Sequence, residues 1–204
     1  MLHEAGRTVD NPAMALADRT ALQPDDGFGN VLARARAGTP AACRVLYESL
    51  AGRVHGYLRL HGADDPEDLT SEVFLRVFTH LDDFTGDEHG FSAWVFTIAH
   101  RALIDDRRRL GRRPITVELT ESIPERLIAS AAEETVLQTI NDDVVQQLLN
   151  RLTPDQRDVL TLRIVADLGI EQVATVLNKT PGTVKALQHR GIAALRRELQ
   201  GRAS

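Results

Sequence analysis

"FSAWVFTIAHRALIDDRRRLGRR", Phe91–Arg113, is the stretch from which the fold class follows. Phe91, Trp94, Val95, Ile98 and Ala102 recur at three- and four-residue steps, the period of one face of an α-helix. Arg101, Arg107, Arg108, Arg109, Arg112 and Arg113 follow, most of them in the last turns, where the helix dipole favours positive charge. The sequence therefore expects a helix from about Ser92, half core and half cationic rim. That rim stands out because the 204-residue chain carries a formal net charge of -5.

Upstream, the same period continues. "VLARARAG" stops at Gly38, and Thr39 and Pro40 then open a helix whose apolar stripe includes Leu46, Leu50, Val54, Tyr57 and Leu58. Asp65 and Pro66 open another, with Leu69, Val73, Phe74, Val77 and Leu81 as its buried stripe. Asp82–Gly90 reads as a loop. Downstream, 114–143 carries Glu118, Glu121, Glu125, Glu133, Glu134, Asp142 and Asp143 against the single cation Arg126, with Pro114 and Pro124 as breaks. That composition reads as an acidic linker.

A second helical block runs over 144–204. Thr153, Pro154 and Gln156 form a capping-box pattern. Ile170, Val173, Ala174 and Leu177 give one short helix an apolar face, and Thr180 and Pro181 start the next after a tight turn. This is helix-turn-helix spacing. In the last helix Val184, Leu187, Gly191 and Leu195 face inward, while Thr183, Lys185, Ala186, His189 and Arg190 lie opposite. Such a helix fits the ~12 Å major groove, with base edges within reach of its N-terminal residues. No strand-like alternation and no internal repeat is found, so the fold expected is all-α: a polar tail (1–26), a first domain (27–113), the linker and a second domain (144–204).

Bulk composition narrows the classes. Hydrophobic content of 43% with 4% aromatics suits helical cores of Leu, Val, Ile and Ala. The lone Cys43 rules out an internal disulfide framework and fits a cytoplasmic location. No stretch approaches the ~18 apolar residues of a membrane span, and the N-terminus lacks signal-peptide order.

Three segments together resemble the extracytoplasmic-function group of bacterial sigma-70 factors. They are "DPEDLTSEVFLRVF" (Asp65–Phe78), "FSAWVFTIAHRALIDDRRR" (Phe91–Arg109) and the block from Leu149 to Leu199. The resemblance implies a non-catalytic subunit that binds core RNA polymerase and promoter DNA, under control of an anti-sigma factor and without a cofactor or metal. It implies polymerase contact at Asp68, Leu69, Glu72, Val73, Leu75 and Arg76. Contact with the -10 element falls to Asp87, Glu88 and His89, as readers of a flipped base, and to Arg101, Asp105, Arg107, Arg108, Arg109, Arg112 and Arg113. Contact with the -35 element falls to Thr180, Thr183, Lys185, Ala186, His189 and Arg190. Arg101 stands where the family usually has Asn, "GIEQ" (Gly169–Gln172) replaces Ser-Tyr-Glu-Glu, and Ala186 and Leu187 replace Ser-Arg, so the promoter sequence read is this chain's own.

Two rivals explain less. A stand-alone helix-turn-helix repressor leaves the Trp-Arg helix without a task. A magnesium nuclease would have to draw on Asp64, Asp65, Glu67, Asp68 and Glu72, but capping and an exposed i, i+4 pair already account for four of these.

Overall fold

A computed structural model describes residues 27–112 and 144–202, and every element in them is helical. α1 spans Phe28–Arg36, α2 Pro40–Leu60, α3 Pro66–Thr79 and α4 Glu88–Arg112, with a 3-10 turn at Leu81–Asp83. Residues 144–150 are helical and lead to α5 (Pro154–Ile164), α6 (Ile170–Leu177) and α7 (Pro181–Arg202). The tail 1–26, the linker 114–143 and Arg113 lie outside the described residues.

The boundaries follow local chemistry. Proline opens α2, α3, α5 and α7, where its missing N–H costs no hydrogen bond. Asp65 accepts from the Asp68 amide at 2.9 Å, and Thr153 and Gln156 close their capping box at 3.4 and 3.2 Å. Gly38 ends α1 at φ +76°, a conformation only glycine takes freely. Asn178 ends α6 at φ +51°, where a short polar side chain tolerates the left-handed turn.

One boundary differs from expectation. α4 starts at Glu88 instead of near Ser92. The Asp87 carboxylate accepts from the Gly90 amide at 2.7 Å, and Glu88 then sits on the positive end of the helix dipole. Capping outweighs the poor helix propensity of Gly90.

The larger difference is at the level of domains. A single buried cluster runs from Val31, Leu32 and Leu46 through Tyr57, Val77, Phe96 and Leu103 to Val159, Leu162, Leu168, Val173 and Leu187. The two blocks are closed on one another, α4 lying along α6 and α2 meeting α5. Gly56 lies at the second approach, where a Cβ would stand in ordinary contact, 3.4 Å from Val165 Cγ1. Polar ties cross the same seam. Arg53 donates to the Ala166 carbonyl at 3.2 Å, Gln146 to the Leu60 carbonyl at 3.1 Å and Gln172 to the His89 carbonyl at 2.6 Å.

Candidate nucleic-acid interface

On α4, steps of four and three place Trp94, Ile98, Arg101, Asp105 and Arg108 in one row. Trp94 and Ile98 are half-buried, and the three charged residues are exposed. Trp94 is held by aromatic neighbours, its ring centroid 5.3 Å from Phe84 and 5.9 Å from Phe91. Beside it opens a concavity of about 300 Å³ lined by Arg76, His80, Asp83, Trp94, Ile98 and Arg101. An apolar ring next to forked cationic donors and a carboxylate is a setting in which a nucleobase can stack and bond through its edge.

Of the loop singled out in the sequence, only Asp83 lines this concavity. Asp87 caps α4, Glu88 is in its first turn, and the carbonyl of His89 accepts from Gln172, although all three side chains reach solvent. His80 was missed. It sits one residue past α3, and its Nδ1 lies 3.2 Å from Asp83 Oδ2. No periodicity marks a residue at such a helix end.

The arginines of α4 do not act as one set. Arg101 and Arg108 extend outward from the row, and Arg108 approaches Asp105 at 3.6 Å. Arg109 reaches Glu72 on α3 at 3.5 Å. Arg107 turns toward the end of α2, donating to the His61 carbonyl at 2.7 Å. That bond engages its guanidinium with the protein, although the residue as a whole is exposed. Arg112 ends the helix, and Arg113 falls outside the described residues.

On α3, Asp68 and Leu75 are exposed and Glu72 and Arg76 half-exposed, Leu75 at 69%. Leu69 and Val73, at 4% and 0%, lie in the core. They back this face from beneath, which corrects their assignment as contact residues. Glu72 pairs with both Arg76 and Arg109, so the acidic end of the row is tied to α4.

In the second block, α7 is set by Val184 and Leu187 in the core and by Gly191. A Cβ on Gly191 would come 2.9 Å from Leu160 Cδ1, so glycine lets α7 press against α5. Thr180 accepts from the Thr183 amide at 3.2 Å, and the two hydroxyls lie 2.9 Å apart. Lys185, Ala186, His189 and Arg190 are exposed together on the outer side. A concavity of about 290 Å³ beside them is lined by Arg163, Ile170, Lys185, Gln188, His189 and Ile192. Arg163 and Gln188 were not expected. Each keeps a buried side-chain atom without a partner, Arg163 Nε and Gln188 Oε1, next to the exposed outer side of α7.

Between the blocks lies a polar cluster that the sequence did not disclose. Thr161 Oγ1 donates to the Arg157 carbonyl at 2.8 Å, so its oxygen accepts from His61 Nε2, also at 2.8 Å. His61 Nδ1 is then the acceptor, with Arg107 Nη2 at 3.3 Å and Asp158 Oδ1 at 3.4 Å. Burial first, then the positive charge of Arg107, pushes the imidazole down to about 3. Burial pushes the Asp158 carboxyl up to about 6. The contact is thus between a neutral imidazole and a carboxyl that binds its proton readily, not an ion pair. Tyr57 O–H lies 2.8 Å from His100 Nδ1, with burial holding the phenol's pKa up and the imidazole's down.

The comparisons with known proteins agree with this layout. The family model described as Sigma-70 region 2 matches residues 46–113, and Sigma-70, region 4 matches residues 142–195. The ECF RNA polymerase sigma factor BldN of Streptomyces coelicolor is 33% identical over 168 residues, covering 81% of this chain and 63% of that protein. SigD of Mycobacterium tuberculosis, of the same description, is 30% identical over 83% of this chain and 82% of its own length. The sigma factor RpoE of Bartonella quintana, solved in complex with the anti-sigma factor NepR, shares the fold at a TM-score of 0.56 and 20% identity, over 76% of this chain and 94% of its own.

Proposed function

Because the chain belongs to the extracytoplasmic-function sigma factors of the sigma-70 family, we propose that it is a promoter-specificity subunit of RNA polymerase that carries out no chemistry of its own. The observation that carries the reading is the pairing of two DNA-fitted surfaces on one chain: the Trp94–Arg108 row with its concavity, and the exposed outer side of α7.

At the -10 element, the concavity beside Trp94 receives one base lifted from the stack. Unstacking costs a few kcal/mol, and stacking with edge hydrogen bonds from Arg101, His80 and Asp83 offsets it. Arg101, Arg108, Arg109 and Arg112 hold the strand's phosphates, with Arg113 as the next cation in sequence. Asp87, Glu88 and His89 border the entering strand, and Asp105 orients Arg108. At the -35 element, α7 enters the major groove. Lys185, His189 and Arg190 face base edges or phosphates, the Thr180–Thr183 pair sits at the phosphate backbone, and Ala186 leaves room for a thymine methyl.

Core polymerase docks on α3 through Leu75, Asp68, Glu72 and Arg76. An exposed leucine inside a charged ring has the anatomy of an interface core and rim. The net charge of -5 suppresses indiscriminate DNA binding, so promoter recognition depends on that docking. Control by an anti-sigma factor belongs to the same proposal, supported by the RpoE–NepR structure and by two functional faces within reach of a covering partner.

Assembly tests the reading. Purified chain added to core polymerase should co-elute as holoenzyme on size-exclusion chromatography, and Arg76→Glu should weaken assembly about tenfold or more. Elution of the wild-type chain apart from polymerase at micromolar concentration contradicts the reading.

A further inference from the structure

Away from the DNA-fitted surfaces, the first block carries a concavity of about 190 Å³ between α1, α2 and α4. Val31, Leu46, Leu50 and Phe91 are buried beneath it, Phe28 is half-buried at its side, and Val45 stands 40% exposed. Two charged groups complete the lining, Arg53 and Glu88. Among the described residues the Arg53 guanidinium donates to backbone carbonyls, of Ala166 and Ser49, and meets no carboxylate. Glu88 is exposed in the first turn of α4. At this volume the concavity falls short of the ~300 Å³ at which sites for drug-sized ligands begin. It suits instead a few side chains set in from one face of a docked helix.

The chain itself leads to the place. Phe28, the first residue of α1, is a wall of the concavity, and residues 1–26 enter through it. Within that stretch "NPAMALADRTALQP", Asn11–Pro24, has the pattern of a helix. Asn11 and Pro12 repeat the cap-then-proline opening of Thr39-Pro40, Asp65-Pro66, Thr153-Pro154 and Thr180-Pro181, and Pro24 closes the run. Between the prolines, alanine, leucine and methionine predominate, all strong helix formers. Met14, Ala17 and Ala21 fall at i, i+3 and i+7, with Leu22 beside them, which is the anchor spacing of a helix laid in a groove. Asp18 interrupts that face with a negative charge, the sign Arg53 lacks, and Arg19 next to it offers the opposite sign to Glu88. Leu22 is six residues from Phe28, a reach of at most about 20 Å. So short a tether holds the segment at an effective concentration of about a millimolar, and weak contacts suffice. A helix of this length is marginal by itself, below the ~12–15 residues at which isolated helices begin to hold. Docking supplies what it lacks.

We propose that residues 12–22 form a short helix seated on the α1–α2–α4 concavity, with Met14, Ala17, Ala21 and Leu22 inward, Asp18 toward Arg53 and Arg19 toward Glu88. The occupant is this chain's own N-terminal segment. It covers Val45 and braces the first turn of α4, and it does so whether or not polymerase or DNA is present.

Hydrogen–deuterium exchange of the full chain, read by mass spectrometry, tests this directly. Amides of residues 13–22 should exchange at least tenfold more slowly than the same residues in a synthetic peptide spanning Asp10–Pro24. Val45→Asp places a charge on the exposed wall and should return them to the peptide rate. Met14→Asp should do the same, and it alters no residue of the described core, so its effect cannot come from unfolding the block. Tenfold dilution should leave the wild-type protection unchanged, because the segment is tethered. Exchange at the peptide rate in the wild-type chain overturns the proposal. So does protection that survives both substitutions, which would seat the segment elsewhere, or protection lost on dilution, which would mean that a second copy supplies it.

Discussion

His61 shows how much one residue at a seam can carry. It ends α2 as its C-cap, yet its ring belongs to the interface, bonded to Thr161 and approached by Arg107 from α4 and Asp158 from α5. In the sequence, His61-Gly62 reads only as a helix end, because nothing local signals a partner 100 positions away. The charged and titratable groups around it fix the sign of a pH effect: Arg107 and His100 on α4, and Arg157, Asp158 and Asp155 on α5, with Lys179 beyond α6. His61 falls from 6.5 to about 3 in the closed form, and His100 also falls, so the packed state binds fewer protons and loses stability as pH drops below about 6.5. Asp158 rises from 3.8 to about 6 and returns stability as pH drops from 6 toward 3.8. Two histidines against one carboxyl leave a net loss. Urea denaturation should therefore give a lower midpoint at pH 5.5 than at pH 8, with His61→Gln reducing the difference. Equal wild-type midpoints at the two pH values contradict the assignment of buried neutral imidazoles. Thr153→Ala, which removes a two-sided cap, should cost about 1 kcal/mol in the same measurement. No change would mean that the cap is replaced by solvent.

At the level of elements, the helices were legible because their ends are written in proline, threonine, aspartate and glycine, and their faces in a 3.6-residue period. Asp65, Thr153, Thr180 and Gly38 do what their types suggest. The start of α4 was not legible, since Asp87, Glu88, His89 and Gly90 have a loop's composition and only the bond from the Gly90 amide to the Asp87 carboxylate marks a helix beginning at Glu88. The candidate site was half legible. The row on α4 and the outer face of α7 follow from spacing, but His80, Arg163 and Gln188 join their concavities through tertiary approach. The partners of the individual arginines were likewise hidden: a run of like residues does not reveal that Arg107 bonds the His61 carbonyl while Arg108 approaches Asp105. The DNA contacts proposed for these elements differ in kind. Lys185→Ala should weaken polymerase-dependent promoter binding and, if it removes one phosphate contact, lower the salt slope by about one. Arg101→Ala should instead reduce strand opening, read by permanganate reactivity of unpaired thymines, with duplex binding kept within about twofold. Equal loss of both would place Arg101 outside the melted region.

Across the whole molecule, sequence reading predicts two domains on a tether, and the chain does contain two blocks. What it could not convey is that they share a core. Apolar stripes on α2, α4, α5 and α6 look alike whether they face their own block or the other, and the intervening acidic stretch removes any clue from proximity. This is also where the proposed function is decided, since it requires both surfaces to act together on polymerase. The most direct measurement is run-off transcription by core polymerase on genomic fragments, with and without the chain. New, discrete start sites should appear only when it is present, each preceded by a shared pair of sequence elements. Start sites that are the same in both reactions would contradict the account.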